Sequence, residues 1–240
     1  MPMGRTRLLL ILAAFVVAVG IGGFLVYDQI LRGDSTAALS LPGASTPPGS
    51  ALPAASFDGV VAGTWSVAGG SQAGYRVREQ LANLPAQSDA VGRTDKVTGT
   101  ITLATSGATT TLTAGSLSVD TTSITSDKSM RDTRLRTQGL ETDAFPTATF
   151  KLAKPVQVPA AALSGTATAI TLTGDLTLHG VTKTVDIPAQ AQLVGGRIQV
   201  AGSIAFPLSD YSIVAPNVGG TIISIADTGA LEFLVTFTKS

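Results

Sequence analysis

The chain has 240 residues, a formal net charge of zero, no cysteine, 13% charged residues and 44% hydrophobic ones. That balance is too apolar for disorder and too interrupted for a multi-span membrane protein, so one globular domain with accessory segments is expected. Without cysteine there is no disulfide framework, thiolate nucleophile, zinc–thiolate site or lipidated N-terminal cysteine, and the dispersed basic residues give no electrostatic support for nucleic-acid binding.

Leu8 to Val26 is an unbroken uncharged and mostly apolar run. As a helix it would span about 28 Å, close to the hydrocarbon core of a bilayer. It is longer than the apolar core of a secretory signal peptide, and the nearest small-x-small pattern, Ala18-Val19-Gly20, lies inside it. An uncleaved signal anchor is therefore favoured over a cleaved peptide. Arg5 and Arg7 precede the run, while Arg32 follows it among Asp28 and Asp34, so residues 1–32 read as a cytoplasmic stub and single-pass anchor. The bulk of the chain is then expected at the cell membrane, outside the cytoplasm. Residues 33–63, with Pro42, Pro47, Pro48 and Pro53 among Ala, Ser, Thr and Gly, read as a flexible linker of roughly 30 Å end to end.

Residues 64–240 are expected to form a mainly β domain. Short apolar alternations predict strands at Thr64–Ala68, Gln72–Glu79, Lys96–Ala104, Thr110–Val119, Thr147–Ala153, Ala167–Leu178, Val181–Gln192, Arg197–Phe206, Thr221–Ile225 and Ala230–Thr238. Long sequential strands joined by short turns suit an antiparallel up-and-down barrel, with a sandwich as the alternative. Ser126 to Glu141 breaks the pattern and predicts a short helix, capped by Ser126 and ended by Gly139.

Ile170, Leu172, Leu176 and Leu178 alternate with Thr171, Thr173, Asp175 and Thr177. That is the period of a half-buried strand. His179-Gly180 interrupts it, and Val181, Val185, Ile187 and Ala189 resume in the opposite parity, so His179, the one histidine, points away from the apolar face. The same parity puts Phe150, Leu152, Ile198, Val200, Ile204, Phe206, Phe233 and Val235 on inward faces. Gly99, Ala148, Gly174, Ala189 and Gly202 recur there, either leaving space for an elongated ligand or marking the bends that curl a barrel.

Arg131-Asp132, Leu135, the run Phe145-Pro146-Thr147-Ala148-Thr149-Phe150 and the segment Leu176 to Val185 resemble, in order and spacing, the YceI-like family of lipid-binding proteins. Trp65-Ser66-Val67 with Ala73, Tyr75 and Val77 is similar to the family's opening strands, and Leu231 to Phe237 to its closing one. The resemblance implies a lipocalin-like antiparallel barrel outside the cytoplasm, holding a polyisoprenoid such as a quinone tail or polyprenyl phosphate, with no catalytic residue; no cofactor is expected, and no metal either, since one histidine without cysteine leaves only scattered carboxylates. Where the family often has His-Ser the chain has Gly70-Ser71, and where the family has Arg-Ser-Asp-aromatic-Gly it has Leu208-Ser209-Asp210-Tyr211-Ser212.

On that reading the tail contacts are Phe150, Leu152, Ile170, Leu172, Leu176, Leu178, Ile198, Val200, Ile204, Phe206, Phe233 and Val235. Lys128, Arg131 and Arg134 are candidates to meet the head group, or else form a solvated helix face paired with Asp127 and Asp132. Asp132, His179 and Gly180 are assigned structural roles. Two other functions stay open: an envelope interaction module whose barrel is filled by side chains, and a hydrolase using His179 as base, for which no nucleophile motif is visible.

Overall fold

Threonine and β-branched residues at alternating positions produce long strands with one face toward a common interior. The computed structural model describes residues 36–42, 60–81, 87–215 and 222–240. The membrane helix expected at residues 8–26 lies outside them, and no helix among the described residues is long and apolar enough to cross a membrane. Among the described residues eleven strands follow in order: β1 (Gly63–Val67), β2 (Gln72–Leu81), β3 (Ser88–Thr94), β4 (Val97–Ser106), β5 (Thr109–Asp120), β6 (Thr147–Leu152), β7 (Val156–Val158), β8 (Thr168–Leu178), β9 (Val181–Val194), β10 (Arg197–Pro207) and β11 (Ile222–Lys239).

Three pairs of these strands are single bent walls. Trp65 of β1 pairs Ile101 of β4 and Lys239 of β11, while Tyr75 of β2 pairs Gly92 of β3 and Leu231 of β11. β6 and β7 likewise share the edge of β5. The result is an antiparallel barrel of eight walls, each paired with its neighbours in sequence and closed between β11 and the β1/β2 wall. Ser71 seals the bend in that wall, since its hydroxyl donates to Ala68 O at 2.7 Å and accepts from Thr236 N at 3.0 Å.

Three expectations about elements change. β3 carries Asp89, Gly92 and Arg93, which hide its alternation, yet it pairs with β2 along its whole length. The strands expected at Thr221–Ile225, of which Thr221 lies outside the described residues, and at Ala230–Thr238 form one strand from Ile222 onward, because Asp227-Thr228-Gly229, which reads as a turn, is absorbed as a bulge between the Ile225–Glu79 and Gly229–Val77 pairs. The helix is also shorter than predicted: α1 spans Ser129–Arg134 and runs into a wider turn, Leu135–Gly139. Ser126 does not cap it, because its N–H and hydroxyl both donate to Asp132 Oδ1, at 2.9 and 2.6 Å, and hold the preceding loop closed instead.

The barrel has two unlike ends. The floor, at the β4–β5 and β9–β10 turns, is plugged by a cluster that includes Trp65, Leu193, Ile198, Val235 and Phe237. The rim, at the opposite end, is built from α1, the β8–β9 turn and the segment Leu208 to Ala215, which close over Tyr75, Leu140, Leu178, Phe206 and Tyr211. Along the outer wall of β11, β2 and β3 lies a segment from the predicted linker, Thr36 to Pro42. Arg76 donates to Thr36 O at 2.7 Å, Arg93 donates to Ala37 O, Leu39 N donates to Glu232 Oε2 at 3.3 Å, and Leu41 is fully buried.

Candidate functional site

Between floor and rim the barrel encloses a cavity of about 480 Å³ that opens beside α1. Its wall is apolar because strand parity sends one face of each wall inward. Phe150, Leu152, Ile170, Leu172, Leu176, Leu178, Val200, Ile204, Phe206, Phe233 and Val235 line it, whereas Ile198 sits in the floor without reaching it. Side chains thus fill only the lower part of the barrel, and the volume falls in the range typical of small-molecule sites.

Two of the inward glycines, Gly174 and Gly202, do not supply that space. A β-carbon on Gly174 would stand 2.4 Å from the Phe150 ring, and one on Gly202 would stand 2.7 Å from the Phe233 ring. Each glycine is a seat on which an aromatic ring from the adjacent wall lies, so it sets the position of the ring that faces the cavity. Gly99 is a separate case: its φ is +147°, and a β-carbon there would stand 2.1 Å from the Ser116 carbonyl oxygen, so glycine is required for backbone reasons.

At the opening the apolar lining meets charged residues. Glu79, on the inward parity of β2 after Tyr75 and Val77, is buried, and Arg131 of α1 donates to its Oε1 at 2.5 Å. Arg131 also pairs with Asp127. Burial disfavours the cationic form of Arg131, but the hydrogen bonds and charges of Glu79 and Asp127 outweigh it and hold its pKa above the ordinary value. Its Nε is buried and has no acceptor among the described residues. Beside this pair, burial pushes the Tyr75 phenol up to about 12, with Arg131 acting in the opposite sense, so the O–H stays a neutral donor. Lys128 and Arg134 line the same opening. Asp132 lies behind them, buried and bonded to Ser126, so Arg131 and Asp132 brace α1 on two sides.

His179 is outside the cavity. Its backbone is left-handed, at φ +50°, and with Gly180 at φ +72° it forms the tight β8–β9 turn. Nδ1 lies 3.0 Å from the Tyr211 carbonyl and Nε2 lies 2.9 Å from Glu141 Oε2, so both ring nitrogens face acceptors. The Phe145 ring packs edge-on against the imidazole at 4.4 Å and covers Gly180. Lys183 adds an ion pair to Asp210 at 2.8 Å. The motifs around Phe145, His179 and Tyr211 thus form one lock that joins three rim loops. No nucleophile faces the imidazole in this arrangement, and no cluster of metal-ligating side chains occurs among the described residues.

Sequence periodicity missed Glu79, the strap at Thr36 to Pro42 and the ring seats. Glu79 was visible as an acid on an inward parity, the one signal that could have found it.

An antiparallel barrel of eight sequential walls, plugged at one end and opening at the other into an apolar cavity, is of the lipocalin-like kind. The chain belongs to the YceI-like family, since the model of the YceI-like domain matches residues 67–237. A polyisoprenoid-binding domain from Saccharophagus degradans, implicated in plant cell wall breakdown, superposes with a TM-score of 0.57 at 21% identity, covering 75% of this chain and 99% of that one. BcnA of Burkholderia cenocepacia superposes at 0.52 with 20% identity, covering 69% of this chain and 95% of its own. At these identities the likeness concerns the fold. No curated protein matches the chain in sequence.

Proposed function

We propose that this protein is a membrane-tethered, extracytoplasmic carrier that holds a polyisoprenoid by its tail for storage or transport. The observation that carries the reading is the apolar cavity of about 480 Å³ above a plugged floor. Burying a methylene contributes about 0.8 kcal/mol, so each prenyl unit gains up to roughly 4 kcal/mol without a directed contact. The eleven apolar side chains on the wall form the tail site, and Ile198 supports it from the floor. The polyisoprenoid-binding barrel of S. degradans supports the same ligand class. Leu8 to Val26 supplies the anchor, and Arg5 and Arg7 the orientation.

At the head-group end, Arg131 is already neutralised by Glu79 and Asp127. Beside that pair stand an unpartnered Nε–H and the Tyr75 O–H, and Lys128 and Arg134 line the same opening. These donors suit a head bearing acceptor oxygens, either the carbonyls of a quinone at the buried donors or a phosphate that also reaches Lys128 and Arg134. Solvent extraction of a purified fragment, residues 36–240, followed by mass spectrometry tests this. A co-purifying isoprenoid quinone or polyprenyl phosphate near one per chain is the expected result; a fragment that is folded and carries no isoprenoid from cells that make one refutes it.

A further inference from the structure

The segment Thr36 to Pro42 shortens the linker. Nine residues, or ten Cα-to-Cα steps, separate Val26, the end of the apolar run, from Thr36 at the Arg76 contact, and fully extended they reach about 35 Å. A linker free from Val26 to the start of β1 at Gly63 would reach about 125 Å. Where the strap grips the barrel also matters. Arg76 lies about 17 Å along the strand from the rim end of β2 at Leu81, and about 36 Å, counted along the paired β11, from the floor end of the same wall at Gly63.

The rim carries two exposed apolar side chains. Met130, on α1 at the cavity opening, is 69% exposed, and Val214, between the cavity-lining Ile213 and Ala215, is 74% exposed. Around them the charges cancel: Lys128, Arg131, Arg134 and Arg136 are matched by Asp127, Asp132, Glu141 and Asp143.

Resting on the reading that Leu8 to Val26 spans a membrane, the geometry points to the rim docking on that bilayer, with Met130 and Val214 entering the interface and the cavity opening facing the lipid. The strap is the positioning device: it holds the rim end of the barrel within reach of the surface and leaves the floor end distal. Because the local charges cancel, the contact is apolar and does not require anionic lipid. A ligand that partitions into the bilayer then passes between membrane and cavity without crossing bulk water.

The chain has no native cysteine, so single reporters can be placed in the full-length protein. An environment-sensitive fluorophore is attached to Met130→Cys, to Val214→Cys, or to Val194→Cys at the floor-end β9–β10 turn. Each protein is reconstituted in phosphatidylcholine nanodiscs containing a spin-labelled phosphatidylcholine as quencher. Quenching several-fold stronger at positions 130 and 214 than at 194, unchanged in 0.5 M salt, is the expected result. Leu41→Asp, which unseats the strap without touching the rim, is expected to reduce the contrast.

Equal or reversed quenching overturns the docking, and so does a contrast indifferent to Leu41→Asp. Protein that fails to enter the nanodiscs overturns anchor and docking together. Ligand carriage is read separately, by extraction of the fragment that starts at residue 36, so its failure is distinguishable from all of these.

Discussion

Gly115 offers a direct way to block the cavity. It lies on β5 and lines the cavity; a β-carbon there would meet Ile101 Cγ2 at 3.5 Å and Leu152 Cβ at 3.7 Å, ordinary contacts, and its φ is not in the left-handed region. Gly115→Phe therefore fits the backbone and sends a benzyl group, seven added carbons, into the space proposed for the tail. At about 0.8 kcal/mol per methylene displaced, full displacement costs about 6 kcal/mol, and a tail that refolds into the remaining volume recovers part. The expected loss of affinity is about 3–5 kcal/mol, two to four orders of magnitude.

Stability is expected to move the other way. Replacing a strand glycine relieves about 0.5–1 kcal/mol, and the ring covers apolar surface. Fragments spanning residues 36–240, wild type and variant, are loaded with a radiolabelled long-chain prenol, separated by gel filtration and counted, with Tm measured on the same samples. A variant that keeps its Tm and retains as much prenol as wild type would refute the placement of the tail in the cavity.

Glu79→Gln leaves the guanidinium of Arg131 buried with Asp127 as its one carboxylate partner, which is expected to cost about 2–4 kcal/mol in urea unfolding. The double variant Glu79→Gln/Arg131→Met should recover most of that, and a double variant no more stable than the single one counts against a charge-pairing role. His179→Ala removes two polar contacts and a ring contact from the rim lock, so calorimetry should show a loss of about 2–3 kcal/mol with prenol retention unchanged. Selective loss of retention in a folded His179→Ala protein would instead bring the imidazole into the binding site. Burial raises the Tyr75 phenol from 10.0 to about 12, so between those values the unfolded chain releases this proton while the folded chain keeps it. The stabilisation is complete below pH 10 and is lost toward pH 12, at up to about 1.4 kcal/mol per pH unit. Urea midpoints at pH 9 and 11 should fall further for wild type than for Tyr75→Phe, and parallel declines would contradict the assignment.

The barrel interior was legible because strand parity is a local property. Ile170 to Leu178 face the cavity for the same reason that Thr171 and Thr173 do not, and the switch of parity at His179-Gly180 marks the turn in the chain. What parity cannot register is a partner distant in sequence. Glu79 is tolerable inside the barrel only because Arg131, 52 residues later, reaches it, and Leu39 meets Glu232 across 193 residues. The role of Gly174 was illegible for a related reason, since nothing near it in sequence announces that the Phe150 ring from the neighbouring wall lies on it. Asp227-Thr228-Gly229 misled in the other direction: its composition is that of a turn, and only pairing with β2 makes it a bulge in a continuing strand.

The plugged floor makes the barrel a blind tube. With Trp65 and its neighbours packed at one end, whatever enters beside α1 must leave by the same door, so loading and unloading are one path travelled in opposite directions. A tail would go in first and come out last. Donor and acceptor would then have to present themselves in turn at the same opening, and the pace of exchange would be set by how quickly the tail can be drawn back past the Arg131 collar.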